Sequence, residues 1–177
     1  MSNTQTQYQQ VVASCFSIYN KKVQDYGTSW RVLRPISLVD QIYIKAMRIR
    51  QLQSSGVNKV GDSKRGEWQA IVNYGIIACI QLELNNYESE WDLDANMASS
   101  LYQQHSDTIY NLMQAKNHDY GEAWRNMSEE SFVDLIITKL LRIRQIIAND
   151  GKTQISEGMD ANFHDIVNYA VFALILY

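Results

Sequence analysis

A chain of 177 residues that is 46% hydrophobic and 20% charged, with a net charge of −3, can bury roughly 70% of its unfolded surface, enough for one core without disulfides or structural metal. That charge leaves no basic footprint for bulk nucleic-acid binding, and the most apolar stretch, Ile166 to Tyr177, falls short of the about 20 residues a bilayer span needs, so neither nucleic acid nor membrane is an expected partner. Residues 1–10 are polar, and Cys15 and Cys79 stand apart with no Cys-x-x-Cys pair; the expectation is a cytoplasmic protein with both thiols in its core.

One Pro and eight Gly leave little punctuation, and apolar residues recur at helical spacing. The first predicted helix runs from about Thr4 to Gln24, carries Val11, Cys15, Ile18 and Tyr19 on one side, and stops at Asp25-Tyr26-Gly27, where Gly permits the backbone that ends a helix. After an irregular segment, Ser37 reads as the N-cap of a second helix ending near Ser54, with Asp40 in its favourable first turn. A polar loop over 57–65 leads to a third helix from about Gly66 to Leu84, apolar nearly all round and therefore central. Residues 85–93 form a linker. Helices near Asp94–Asn117, Ser131–Ala148 and Asp160–Leu176 follow, with Ser131 and Asp134 repeating the start at Ser37 and Asp40. No segment reads as a strand.

The second half restates the first. Asp25-Tyr26-Gly27-Thr28-Ser29-Trp30-Arg31 returns as Asp119-Tyr120-Gly121-Glu122-Ala123-Trp124-Arg125, 94 residues on, and Arg48-Ile49-Arg50-Gln51 returns as Arg142-Ile143-Arg144-Gln145. Ile71-Val72-Asn73-Tyr74 returns 95 residues on as Ile166-Val167-Asn168-Tyr169; the extra residue belongs in the loop before Gly151, which pairs with Gly56. A three-helix layer leaves one side unburied, so two of them pack face to face. The predicted fold is all-α: a six-helix bundle of two tandem three-helix repeats, about 4–84 and 94–177, related by a pseudo-two-fold axis within one compact domain. A fused homodimer is the natural ancestor, and a further homodimer remains open.

Matched polar residues ask for more than a core. Lys45 and Arg48 stand three apart, as do Lys139 and Arg142, and Asp134 shares their helix face with Arg142. An acid at a helix start with cations farther along suits a phosphate bridged by a divalent ion; an intrahelical salt-bridge ladder is the plainer alternative. Asn73 and Asn168 lie in apolar surroundings and must each have a partner, either a neighbouring protein group or a base or sugar. Trp30-Arg31 and Trp124-Arg125 follow the Tyr26-Gly27 and Tyr120-Gly121 turns, where a Trp can stack on a nucleobase or plug the loop onto the core. Ahead of the third helix the copies diverge. The second has Glu157, Asp160 and Asp165, whereas the first has Asp62, Arg65 and Ala70, with Glu67 extra. If Asp134, Glu157, Asp160 and Asp165 converge, they make a Mg²⁺ site in the second repeat; otherwise Asp160 is an N-cap.

Lys116-Asn117-His118-Asp119-Tyr120-Gly121, the helix of Asp134, Lys139 and Arg142, and Asp165-Ile166-Val167-Asn168-Tyr169 together resemble the nucleotide modification associated domain 1 family, across both halves of the chain. The resemblance implies a role in modified-nucleotide metabolism. The pattern is more distantly similar to the MazG-like all-α nucleotide pyrophosphohydrolases, which bind Mg²⁺ through carboxylates on two helices, although the Glu-x-x-Glu of those enzymes is missing and Asp134 stands five residues from Lys139. Two functions follow, with a helical interaction or adaptor protein, which would need an exposed apolar patch, as a third. In the enzyme, a nucleotide pyrophosphohydrolase, Asp134, Glu157 and Asp165 act at the metal, Lys139 and Arg142 neutralise the triphosphate, and Asn168 and Trp124 orient the nucleoside. In the binding module, the cation pairs hold a nucleotide or other phosphate-bearing small molecule without turnover. Tyr120, Arg125, Tyr26, Trp30, Arg31, Lys45, Arg48 and Asn73 complete the candidate ligand contacts.

Overall fold

The computed structural model describes residues 3–55, 63–85 and 92–177; Gly56 and Asp62 lie outside them. Six α-helices make up the described fold: α1 (Asn3–Tyr26), α2 (Pro35–Ser55), α3 (Lys64–Leu84), α4 (Ala95–Tyr120), α5 (Glu129–Ala148) and α6 (Met159–Leu176). A 3₁₀ turn follows the first helix of each repeat, at Ser29–Val32 and Ala123–Asn126, and no strand occurs among the described residues. Three starts differ from the predicted ones. Pro35 opens α2, where its missing N–H costs nothing, so Ser37 is already inside the helix. Ser128, not Ser131, caps α5 by accepting the Ser131 N–H, and α6 is capped at Gly158, leaving Asp160 in its first turn.

The core sits where the repeats meet. Helices α3 and α6, the most apolar of the six, lie against each other at the centre, and α2 and α5 flank them. A Cβ added to Gly75 would stand 2.5 Å from Val167 Cγ2, so only glycine allows α3 to approach α6 this closely. Cys15 and Cys79 are buried, and burial pushes both thiols up to about 12. No described helix is long and apolar enough to cross a membrane.

The two conserved asparagines show how the repeats interlock. Asn73 donates to the Cys15 carbonyl in its own repeat at 3.1 Å, and its oxygen accepts the Tyr102 hydroxyl of the other repeat at 2.7 Å. Asn168 reverses the arrangement: it donates to the Ile109 carbonyl at 3.5 Å and accepts the Tyr8 hydroxyl at 2.7 Å. Both amides therefore have protein partners. A second reciprocal pair lies at the surface, where Arg144 meets Asp40 at 2.7 Å and Arg50 meets Asp134 at 3.9 Å. Asp134 thus faces the other repeat, in a solvated pair of the kind that contributes about 0–1 kcal/mol.

Tyr8→Phe and Tyr102→Phe are each expected to cost about 1–3 kcal/mol, because each leaves a buried amide oxygen unpaired; urea unfolding measures it, and unequal costs would contradict the reciprocal design. Gly75→Ala is expected to destabilise by about 1–3 kcal/mol through overpacking against a stiff valine, read by the same denaturation series.

Candidate ligand site

Each repeat encloses a cavity between its first helix, its Tyr-Gly turn and its third helix. In repeat 1 the cavity measures about 410 Å³ and is walled by Tyr19, Tyr26, Trp30, Tyr74 and Ile77, with Lys22, Gln69, Ala70 and Asn73 among its lining. Its counterpart in repeat 2 measures about 230 Å³ and is lined by Lys116, Tyr120, Trp124, Asp165, Asn168, Tyr169 and Phe172. The shift of 94 or 95 residues carries Lys22 to Lys116, Trp30 to Trp124, Ala70 to Asp165 and Ile77 to Phe172. Both cavities thus come from one design, and two larger side chains take up part of the second.

The turns that form the cavity mouths are held by the arginines expected to grip ligand. Buried Arg31 donates to the Gln81 side-chain oxygen, and the Gln81 amide nitrogen in turn donates to the carbonyls of Trp30, Arg31 and Leu33 at 3.2, 2.8 and 2.8 Å. Arg125 donates to Glu122 at 2.7 Å, to Thr4 at 2.5 Å and to Gln7 at 2.8 Å, with its guanidinium 4.5 Å from the Trp124 ring centre. Both arginines are occupied by protein. Asp92 closes the repeat-1 turn by accepting the Thr28 N–H at 3.1 Å and its hydroxyl at 2.9 Å, and these bonds hold its carboxyl below the usual range.

The cation stripes are also matched within the protein, by carboxylates one helical turn apart. Glu67, with its side chain 3% exposed, sits 3.2 Å from both Lys45 and Arg48. At its counterpart in repeat 2 stands Asn162, and the charge moves three residues on to Asp165. One Asp165 oxygen meets Lys139 and the other Lys116, both at 2.7 Å. Neither Lys22 in repeat 1 nor Arg142 in repeat 2 makes an ion pair with a described residue.

The predicted acidic constellation is not assembled. Asp134 meets Arg50 across the repeat interface, Asp165 has both oxygens on lysines, and Asp160 is exposed in the first turn of α6. Among the described residues no three His, Cys, Asp or Glu side chains gather to hold a metal ion, so the donor set does not fit Mg²⁺. Glu157 instead lines an open groove of about 600 Å³ with Lys139, Arg142, Lys152 and Asn162, between the end of α5 and the start of α6. The ligand contacts expected to act together are thus split: Lys139 and Arg142 border this groove, whereas Tyr120, Trp124 and Asn168 border the repeat-2 cavity. Lys22 was missed, though its Lys-x-x-Asp-Tyr-Gly spacing is that of Lys116 and Ala70 stands where Asp165 would quench it.

The family model described as nucleotide modification associated domain 1 matches the chain twice, over residues 22–82 and 116–176. Each match begins at or beside the cavity lysine and takes in the turn, the cation stripe and the third helix. Neither a curated protein nor a solved structure matches the chain.

The Asp165 bridge is testable by acid. Burial raises its carboxyl, but hydrogen bonds and charge from Lys116 and Lys139 outweigh that and hold it below the ordinary 3.8. A depressed folded-state value stabilises fully above the unfolded value and loses that contribution as pH falls through the folded one. Wild type is therefore expected to melt above Asp165→Asn at neutral pH, with the gap closing as pH drops below 3.8; a constant gap in melting scans would contradict the bridge.

Proposed function

The chain belongs to the nucleotide modification associated domain 1 family, and we propose that it is a nucleotide-binding protein of modified-nucleotide metabolism that takes its ligand in the repeat-1 cavity. The observation that carries this reading is the company Lys22 keeps. Among the described residues it is a cation without a carboxylate, on the rim of a cavity whose walls are Tyr19, Tyr26, Trp30 and Tyr74. Aromatic walls offer stacking for any base, worth about 1–3 kcal/mol per base. A lysine supplies a charge-assisted bond to phosphate, and Gln69, whose amide nitrogen donates to Ser14 at 2.9 Å, has its side-chain oxygen to accept from a base or sugar. Few sites combine an apolar cleft with a small number of placed polar groups unless they hold a small molecule.

No bond-breaking step is assigned. Asp134 pairs with Arg50 and Asp165 with two lysines, and a Mg²⁺-dependent pyrophosphohydrolase needs carboxylates brought to the metal. The binding module is the reading this arrangement favours over the pyrophosphohydrolase.

A panel of ribo- and deoxyribonucleoside phosphates, with and without Mg²⁺, followed by thermal shift, calorimetry and pyrophosphate or phosphate release, tests it. At least one nucleotide is expected to raise the melting temperature without release. Lys22→Ala should weaken that nucleotide about tenfold or more, whereas Arg142→Ala, in the separate groove, should leave it unchanged. Dependence on Arg142 but not Lys22 would move the ligand to the groove. Release of product would restore the hydrolase, and silence across the panel would remove nucleotides altogether.

A further inference from the structure

Two repeats that share a cavity design but fill it differently report on what the cavity is shaped to hold. The filling side chains of repeat 2, Asp165 and Phe172, stand seven residues apart on α6, close to two helical turns, so they leave one face roughly 10 Å apart along the axis. Asp165 places a carboxylate oxygen 2.7 Å from Lys116. Phe172 lays its ring flat on Trp124, with centroids 4.2 Å apart and planes 5° apart. In repeat 1 the equivalent positions are Ala70 and Ile77; they supply neither the anion nor the ring, and Lys22 and Trp30 border open space.

We propose that Asp165 and Phe172 act as a built-in ligand. The chain's own anion and ring occupy, in repeat 2, the places that an external molecule takes in repeat 1. The external ligand is accordingly one with a planar aromatic or heteroaromatic ring set against Trp30 and an anionic group set against Lys22. The protein is a one-site receptor whose second repeat is closed from within, and positions 70 and 77 decide whether a repeat is open. This rests on the nucleotide reading only in taking the repeat-1 cavity as the site. There the base is the ring and the phosphate is the anion.

Burial explains why the substitution sits at the carboxylate. Lys139 is only 14% exposed and needs a counter-charge, which Asp165 supplies. The same side chain reaches Lys116, 47% exposed, with its second oxygen. In repeat 1 Glu67 serves Lys45 from one turn earlier on the helix and does not pair with Lys22, so the buried cation is neutralised without closing the cavity.

Calorimetry that counts sites per chain tests the proposal, using two probes: the tightest nucleotide of the panel, and phenylhexanoate, which carries a ring and a carboxylate but no nucleoside. One site is expected in wild type, none in Ala70→Asp with Ile77→Phe, and two in Asp165→Ala with Phe172→Ile, the second disappearing again with Lys116→Ala. A site retained by the first double variant, or no second site in the folded reverse variant, would overturn it. Because Asp165→Ala strips two lysines of their partner, circular dichroism and melting are read first, and Phe172→Ile alone serves where the double variant does not fold. Phenylhexanoate binding that follows this pattern while no nucleotide binds would sink the nucleotide reading and support the built-in ligand. Nucleotide binding indifferent to positions 70 and 77 would do the reverse, and binding of neither probe would overturn both.

Discussion

Each repeat folds into three helices with one apolar side left over, and that side can be buried only against the other repeat. Helices α3 and α6 carry this burden. Both are apolar over most of their circumference, so neither tolerates water on the face it turns to its counterpart, and the close approach at Gly75 and Val167 leaves no room for it. Burying that surface also buries Asn73 and Asn168, whose amides would be costly without partners. The partners are the hydroxyls of Tyr102 and Tyr8, each from the opposite repeat. Apolar burial supplies the drive to associate, which is not directional, and the crossed Tyr–Asn bonds supply a register that hydrophobic contact alone leaves loose. Asp40 with Arg144 and Asp134 with Arg50 repeat the crossing at the surface, where solvent makes them weak but still selective about alignment.

Once the repeats are locked, each must still neutralise the cations on its second helix. The requirement is strictest for the more buried ones, since a buried charge without a partner is far more costly than an exposed one. A carboxylate on the third helix can meet it from either of two consecutive turns. From the earlier turn, Glu67 holds Lys45 and Arg48. From the later turn, Asp165 holds Lys139 and also reaches Lys116. Both solutions neutralise the lysine of the second helix, but among the described residues only the earlier one also pairs its arginine, and they differ at the cavity: the later position brings charge into it and the earlier one leaves it open.

Much of this architecture was legible in the sequence because duplication marks what both copies need. The six helices, the two-repeat arrangement and the certainty that each Asn had a partner follow from matched residues and periodicity. Partner identity did not follow. Asp134 shares a helix face with Arg142, yet its counterpart is Arg50 of the other repeat, because the rotation of one helix against its neighbour is set by packing across the interface and not by spacing within the helix. The helix starts shifted for a local reason, since Pro35 and Ser128 offered earlier caps than Ser37 and Ser131. The imbalance of acids was visible too, but not where each acid points. More carboxylates in the second repeat suggested a metal site there, whereas the one that enters its cavity fills the space between two lysines. Comparing Ala70 with Asp165 beside the matched pair Lys22 and Lys116 shows from sequence alone that the two cavities differ in charge.

Symmetry in the scaffold and asymmetry in the cavities are therefore compatible consequences of one design. The crossed Tyr–Asn bonds that join the repeats are reciprocal, so Tyr8, Tyr102, Asn73 and Asn168 are held to a common geometry. Residues 70 and 77 in one repeat and 165 and 172 in the other line the cavities and take no part in these crossed bonds. They were free to diverge, and the directions they took are complementary. Phe172 gains aromatic packing and Asp165 gains two ion pairs, stabilising the second repeat at the expense of its opening, while Ala70 and Ile77 forgo both. A cavity kept open beside a lysine forfeits stability that the same chain demonstrates how to recover 95 residues later. Proteins commonly carry such local sacrifices where flexibility or a vacant site serves function, and the first repeat has that form.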